Sequence, residues 1–154
     1  MRHIKGFTMI ELMVTIAVLA IVVSIAAPSF SSLLRDSRLS ALSSELQSTL
    51  QLARSEAVKR RQNVQVCRSN AAQSACANGS TDWATSGWLI TDTNNNVLKV
   101  WDAAQGVVIT GPNAGITFTS TGMASAAAWT VTHADCSGEQ KRSISINVTG
   151  NTSL

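Results

Sequence analysis

The first part of the chain is a single long apolar segment. From Phe7 to Ala27 the only charged residue is Glu11. At about 1.5 Å per residue, a helix of this length spans about 30 Å, which is the thickness of a bilayer core. Arg2, His3 and Lys5 precede it, so the positive-inside rule predicts a cytoplasmic N-terminus and an exported remainder.

A second periodicity follows, with apolar residues at three- and four-residue steps and polar residues between them. This spacing places the apolar side chains on one face of a helix and predicts that the helix continues to about Arg61. Basic residues crowd its last turns, where cations complement the helix dipole. The apolar stripe consists of Leu39, Leu42, Leu46, Leu50, Ala53 and Ala57.

Beyond Arg61 the apolar residues alternate with polar ones, which is typical of strands that bury one face. The clearest case is the alternating run Ser143–Val148. Clusters of Gly, Asn and Ser separate the strands, so we expect an antiparallel sheet that the helix stripe covers. The fold class predicted is α+β, a long N-terminal helix packed on an antiparallel β-sheet head. The other alternating pairs are Val64 and Val66, Trp88 and Ile90, Val107 and Ile109, and Trp129 and Val131.

Two simple explanations of the N-terminal segment leave features unexplained. A cleavable secretory signal has an apolar stretch of about 7–15 residues, which is shorter than this one. Its best cleavage site, Ala26-Ala27, is followed directly by Pro28. A plain membrane anchor accounts for the length, but an ionised Glu11 costs a few kcal/mol at bilayer depth, unless it lies near the interface and snorkels to water. Such a residue is usually functional and has a partner.

The residues around this carboxylate resemble a known family. Lys5-Gly6-Phe7-Thr8-Met9-Ile10-Glu11-Leu12 is similar to the prepilin signature of type IV pilins and type II secretion pseudopilins. The resemblance implies that a prepilin peptidase cuts between Gly6 and Phe7, that the new amine of Phe7 is methylated, and that Pro28 kinks the helix. The expected organisation is a leader at 1–6, a transmembrane assembly helix at 7–27, its periplasmic continuation at 28–61 and a β-rich head at 62–154.

The same cleavage gives Glu11 a partner. It leaves a charged amine on Phe7, four residues before the carboxylate. Helices stacked with an axial offset can then place Glu11 beside the amine of a neighbouring subunit. This pairing is strong in hydrocarbon because neither charge has water as an alternative. We therefore interpret Glu11 as a residue that sets the register of assembly.

The rest of the chain resembles a narrower group, the GspH/FimT/FimU-type minor pilins, through Gln51–Arg60 and Gly87–Asp92. This resemblance implies a low-copy subunit of the bacterial inner membrane, with its head in the periplasm. The subunit helps to prime the pilus, lies near its tip and has other minor and major pilins as partners. The alternatives are a minor pseudopilin of a type II secretion system and a DNA-binding pilin subunit in natural transformation. FimT-like members carry a basic Gly-Arg-x-Arg element for DNA uptake, but Thr149–Leu154 contains no arginine.

The charge adds little support for nucleic acid as a partner. The net charge is +3 from twelve basic and nine acidic residues, and loss of Arg2 and Lys5 with the leader leaves ten basic residues. A nearly neutral chain is not an obvious DNA binder. The residues that remain candidates for a DNA or partner contact, if the final strands pack beside the helix end, are Arg60, Arg61, Lys141 and Arg142.

The inventory of reactive residues argues against catalysis, a cofactor and a metal. After the leader is removed, His133 is the only histidine, so neither a Ser-His-Asp nor a Cys-His site has support from the sequence. Asp92–Asn96 opens like a calcium loop, but Val97 and Ala103 replace the required Gly and the closing Glu. We interpret this segment as a polar hairpin turn.

Three cysteines, Cys67, Cys76 and Cys136, fall in the part predicted to be exported, where disulfides persist. A bond between Cys67 and Cys76 would close a short polar loop and stabilise the head by about 2.5–3 kcal/mol on the chain-entropy model. Spacing leaves the pairs Cys67–Cys136 and Cys76–Cys136 open. Trp83, in the same irregular stretch, is expected in the core, with an exposed contact as the alternative.

Overall fold

The fold is that of a computed structural model, which describes residues 7–77, 79–134 and 141–154, with only the backbone for 26–29. The chain forms two compact units, one ending at Ser37 and one from Arg38 to Leu154. A single helix, α1 (Met9–Arg60), contributes to both. It ends in a Schellman motif, since Gln62 N–H donates to Ala57 O and Arg61 N–H donates to Val58 O. Arg61 has the left-handed φ of 55° that this motif requires.

In the first unit, α1 exposes its large apolar side chains along its whole length. In the second unit, the predicted stripe is buried, which confirms that part of the sequence analysis: five of its residues are fully buried and Leu42 is partly buried. Two polar side chains, Ser43 and Thr49, share the buried face. Ser43 Oγ donates to Leu39 O, and Thr49 Oγ1 accepts a hydrogen bond from Trp88 Nε1. The helix therefore buries hydroxyl groups only where each has a partner.

The head contains two antiparallel sheets rather than the one that alternation suggested. One has the strand order β3-β2-β1-β5 and the other β4-β6-β7-β8. They are separate because β5 returns to pair with β1, whereas β4 pairs with β6. The strands are β1 (Val64–Arg68), β2 (Trp88–Asp92), β3 (Val97–Trp101), β4 (Val107–Thr110), β5 (Ile116–Phe118), β6 (Ala127–His133), β7 (Lys141–Ile146) and β8 (Thr152–Ser153).

Inward-facing residues of both sheets and the α1 stripe form one core. Each of the alternating pairs predicted to be buried is buried, as are Ile144 and Ile146. The last long strand begins two residues earlier than predicted and ends at Ile146, because Asn147 opens a turn closed by Gly150 N–H. Trp83 is fully buried and packs edge-to-face on Trp129, with ring centroids 5.6 Å apart, so its placement in the core is confirmed.

Candidate assembly site and head surface

Glu11 belongs to a capping box at the start of α1. Thr8 N–H donates to Glu11 Oε2 over 3.1 Å, and Glu11 N–H donates to Thr8 Oγ1 over 3.3 Å. The Thr8 hydroxyl also donates to Oε2 over 3.0 Å. This reciprocal pattern satisfies backbone donors that a helix start leaves open. The spacing Thr-x-x-Glu, which lies within the prepilin signature, is the sequence signal for this cap.

The surface that follows is apolar over a membrane-spanning length. α1 is the one described helix that is long and apolar enough to cross a membrane, with a mean hydropathy of 2.6 in its most apolar window. Representative side chains are strongly exposed: Ile10 is 71% exposed and Leu19 is 60% exposed. Phe7 is exposed, and Gly6 lies outside the described residues. α1 continues through Pro28, and the kink there stays a prediction.

One of the disulfide pairings that the cysteine spacing allows is present in the head. Cys67 and Cys76 form a disulfide with their Cα atoms 5.5 Å apart. Cys67 is fully buried, and the loop that the bond closes folds back on β1, where Ala77 N–H donates to Arg68 O. The disulfide between Cys67 and Cys76 is thus confirmed. Cys136 lies outside the described residues.

The four basic candidates occupy two places, the end of α1 and the start of β7. Arg60 Nε lies 2.6 Å from Glu56 Oε2, so its charge is matched, and Arg61 is exposed beyond it. Lys141 and Arg142 begin β7, which ends at Ile146. At about 3.3 Å per residue, they lie roughly 13–17 Å along the strand from the turn that contacts α1. The four candidates thus belong to two elements, two at the end of α1 and two at the start of β7.

Arg54 contacts that turn and is the functional side chain that sequence reasoning missed. Its Nε donates to Gly122 O over 3.1 Å, one terminal nitrogen donates to Thr149 O over 3.0 Å, and the other donates to Asn151 Oδ1 over 2.7 Å. All three acceptors are neutral and belong to two turns. Gly150 has a φ of 77°, and a Cβ there would lie 2.1 Å from Gly122 O, so only glycine fits between the turns.

The calcium-like segment is a hairpin turn between β2 and β3, as expected. Asp92 Oδ1 accepts backbone hydrogen bonds from Asn94 and Asn96, and Oδ2 accepts one from the Asn96 side chain. The hydrogen bonds from Asn96 hold the pKa of Asp92 below its ordinary value. The carboxylate is thus engaged by its own turn. Among the described residues, no three His, Cys, Asp or Glu side chains gather as they would around a metal ion.

Comparison with protein families places the chain. The family described as type II transport protein GspH matches residues 42–150, and the prokaryotic N-terminal methylation motif matches residues 1–27. The chain belongs to the GspH family. Pilins and pseudopilins of this kind are structural subunits, so this GspH-family chain is not an enzyme. None of the curated proteins is similar enough to count as a match.

Two solved structures share the fold. Both are crystal forms of FimU, a type IV minor pilin of Pseudomonas aeruginosa, and both are 22% identical to this GspH-family chain. One has a TM-score of 0.62 and covers 77% of this chain and 88% of FimU. The other has a TM-score of 0.58 and covers 75% and 90%. This likeness confirms the α+β pilin fold, a long N-terminal helix packed on antiparallel sheets.

Two further properties follow from membership of the GspH family. The methylation motif implies processing by a prepilin peptidase, and the family implies assembly with other pilins. The motif and the apolar helix are those of a membrane-anchored pilin.

Proposed function

We propose that the chain is a minor type IV pilin that helps to prime pilus assembly and is located near the pilus tip. Its head lies in the periplasm while the apolar part of α1 is held in the bacterial inner membrane. The leader, transmembrane helix, periplasmic helix and head are residues 1–6, 7–27, 28–61 and 62–154. Cleavage follows Gly6, and Phe7 carries the methylated amine.

The main support for this proposal is that a single carboxylate, Glu11, lies in an otherwise apolar and exposed helix surface. The exposed apolar side chains of α1 need lipid or the helices of other subunits around them. Glu11 is the one charged residue within this surface, and its capping box holds the carboxylate at the start of the helix. The mature amine of a neighbouring subunit can reach a carboxylate in that position when two helices are offset along their axes.

The test separates the charge of Glu11 from its capping role. Glu11→Gln retains a side chain that can cap the helix, whereas Glu11→Ala loses both the cap and the charge. We expect both variants to stay in the membrane, because removal of a charge favours insertion. We expect both to be depleted at least about tenfold from sheared filaments, since each loses a charge pair made in low dielectric. Quantitative immunoblotting of membranes and sheared filaments measures this.

A matched control is Thr8→Val, which weakens the cap and leaves the charge in place. It should incorporate far better than Glu11→Gln. If Glu11→Gln entered filaments as well as the unchanged chain, the charge pairing would be wrong. If the unchanged chain were never found in filaments, the proposed function itself would fail.

The main alternative is a minor pseudopilin of a type II secretion system, because the family description is shared with that system. Deletion of the gene distinguishes the two functions. Loss of surface pili with normal protein secretion supports the pilus role, whereas loss of secreted enzymes with normal pili supports the pseudopilin role. DNA binding is less favoured, since Arg60 is paired with Glu56 and Arg54 is engaged by two turns.

A further inference from the structure

Three exposed apolar side chains lie together where two turns of the head meet the end of α1. Val58, Met123 and Val148 are 49%, 52% and 59% exposed. A Cβ on Gly122, which precedes Met123, would lie 3.1 Å from Val58 Cγ2. Ala124 N–H, on the other side of Met123, donates to Val148 O over 3.3 Å. Single exposed apolar residues are common, but several together mark a contact surface. We call these three residues the apolar patch.

The apolar patch lies at the end of the second unit opposite to the one where α1 enters it. The unit begins at Arg38, and Val58 lies about 30 Å further along α1 at roughly 1.5 Å per residue. The apolar segment of α1 precedes Arg38, so lipid adjoins the chain on that side. A protein is therefore a better candidate than the bilayer to cover the apolar patch.

The rim of the apolar patch is cationic. Lys59 and Arg61 lie in and just after the last turn of α1, both are exposed, and Arg61 makes no ion pair with another described residue. Glu56 is the only acid in the last three turns of α1, and two cations of the same helix engage it. Neither turn, 119–124 or 147–151, contains an acidic residue. A phosphate backbone would match the rim but not the apolar centre. Charge complementarity therefore favours a protein surface that combines apolar and acidic side chains.

We propose that the apolar patch binds the head of a different pilin in the same filament, through apolar and acidic side chains of that head. This inference rests on the proposed pilus function and adds the surface and the chemistry of the partner. The apolar segments of all subunits leave one membrane in the same direction, so their helices are parallel and neighbouring heads are offset along them. A patch at the far end of one head then meets the near end of the next. Two copies do not pair patch to patch, because that arrangement opposes their helices and brings the two cationic rims together.

The first test measures the incorporation of full-length variants into sheared filaments by quantitative immunoblotting, with membranes as the reference. Val148→Glu should be depleted from filaments at least about tenfold, because it replaces an apolar contact with a charge that repels an acidic partner. Val148→Lys loses the same contact but attracts acidic side chains, so it should be depleted clearly less. Val108→Glu is the matched control on β4, where Val108 is also exposed, and should enter filaments like the unchanged chain.

A second measurement reports the burial of the apolar patch directly. In the Cys136→Ser chain, Met123→Cys should react with a maleimide reagent while the chain is held in the membrane and should be protected in sheared filaments. Val108→Cys is the control and should react in both states. In filaments of the Arg61→Lys chain, a carbodiimide should couple the new amine to an Asp or Glu side chain of a different pilin's head, which mass spectrometry identifies.

The outcomes separate this inference from the proposed function. If the unchanged chain were absent from filaments, the proposed function would fail and this inference with it. If the unchanged chain is incorporated, the following results would each overturn this inference alone. They are incorporation of Val148→Glu like the unchanged chain, equal depletion of Val148→Glu and Val148→Lys, equal reactivity of Met123→Cys in both states, and coupling of the Arg61→Lys chain only to a second copy of itself.

Discussion

Both parts of α1 carry large apolar side chains, but these are exposed in the first part and buried in the second. In the first unit, Leu19 and Leu33 are 60% and 64% exposed, whereas Leu46 and Leu50 in the second unit are fully buried. The difference lies in the pattern around them. Apolar residues occupy every side of the helix over residues 7–27, and they occupy one stripe of the second part. A helix that is apolar all round cannot be covered by its own head and needs an external apolar partner.

The two parts of α1 therefore have separate roles. The stripe stabilises the head because its burial removes apolar surface from water within one chain. None of the described residues before Arg38 belongs to the core of the head, so the apolar side chains of the first part are available for lipid and for other subunits. Changes in the second part should therefore affect the stability of the head, and changes in the first part should affect assembly. All four tryptophans lie within residues 83–129, so tryptophan fluorescence reports on the folding of the head.

The largest expected effect is a core truncation in the stripe. Leu46→Ala or Leu50→Ala should lower the free energy of unfolding of the head by about 2–5 kcal/mol, the usual range for a large-to-small change in a core. Urea unfolding followed by tryptophan fluorescence measures it. Leu19→Ala is the matched control and should change that free energy by less than about 0.5 kcal/mol. Similar losses at Leu19 and Leu50 would remove the distinction between the two parts of the helix.

A smaller effect is expected at Arg54, where α1 contacts two turns of the head. Arg54→Ala removes three hydrogen bonds from a charged donor, and we expect a loss of about 1–3 kcal/mol because the site is partly exposed to water. Gln51→Ala is the control, since Gln51 makes one exposed hydrogen bond to Thr152. The same urea titration measures both. A loss at Arg54 no larger than at Gln51 would show that the turns hold their positions without the guanidinium.

Periodicity explains which parts of this fold could be read from the sequence. The helix, its stripe and the buried strands were predicted because each repeats a local spacing that burial imposes. The bounds of β3 were not predicted because its residues are exposed to similar extents on both faces, and β5 was missed because it is only three residues long. The division into two sheets depends on the pairing of β5 with β1, which no local pattern encodes.

The residues of the candidate sites also differ in how far the sequence predicts their roles. Glu11 stands out in the sequence because it is one charge in an apolar segment, and the Cys67–Cys76 bond is among the pairs that spacing allows. Arg54 looks in the sequence like one of several cations at a helix end. Its acceptors Gly122 and Asn151 lie 68 and 97 residues away along the chain, so only the tertiary structure reveals its role.

The smallest effect belongs to the ion pairs in the last turns of α1, where a partly buried Glu56 meets two exposed cations. Glu56 pairs with Arg60 at 2.6 Å and with Lys59 at 3.7 Å, and the hydrogen bond from Arg60 holds the pKa of Glu56 below its ordinary value of 4.5. A carboxyl whose pKa is depressed in the folded state stabilises the fold above its unfolded pKa. That contribution is lost as the pH falls through the folded pKa. Because both cations are exposed, it should amount to only about 0.3–0.5 kcal/mol.

Glu56→Gln should therefore lower the free energy of unfolding by this amount at pH 7 and leave it nearly unchanged at pH 3. Urea titrations at the two pH values measure the difference. Glu45→Gln is the control, because Glu45 makes no ion pair with another described residue, and it should lower the free energy of unfolding at pH 7 by less than Glu56→Gln does. A loss above about 1 kcal/mol at Glu56 would mean that these ion pairs are shielded from water in solution, and the contrast between the buried stripe and the solvated ion pairs beside it would no longer hold.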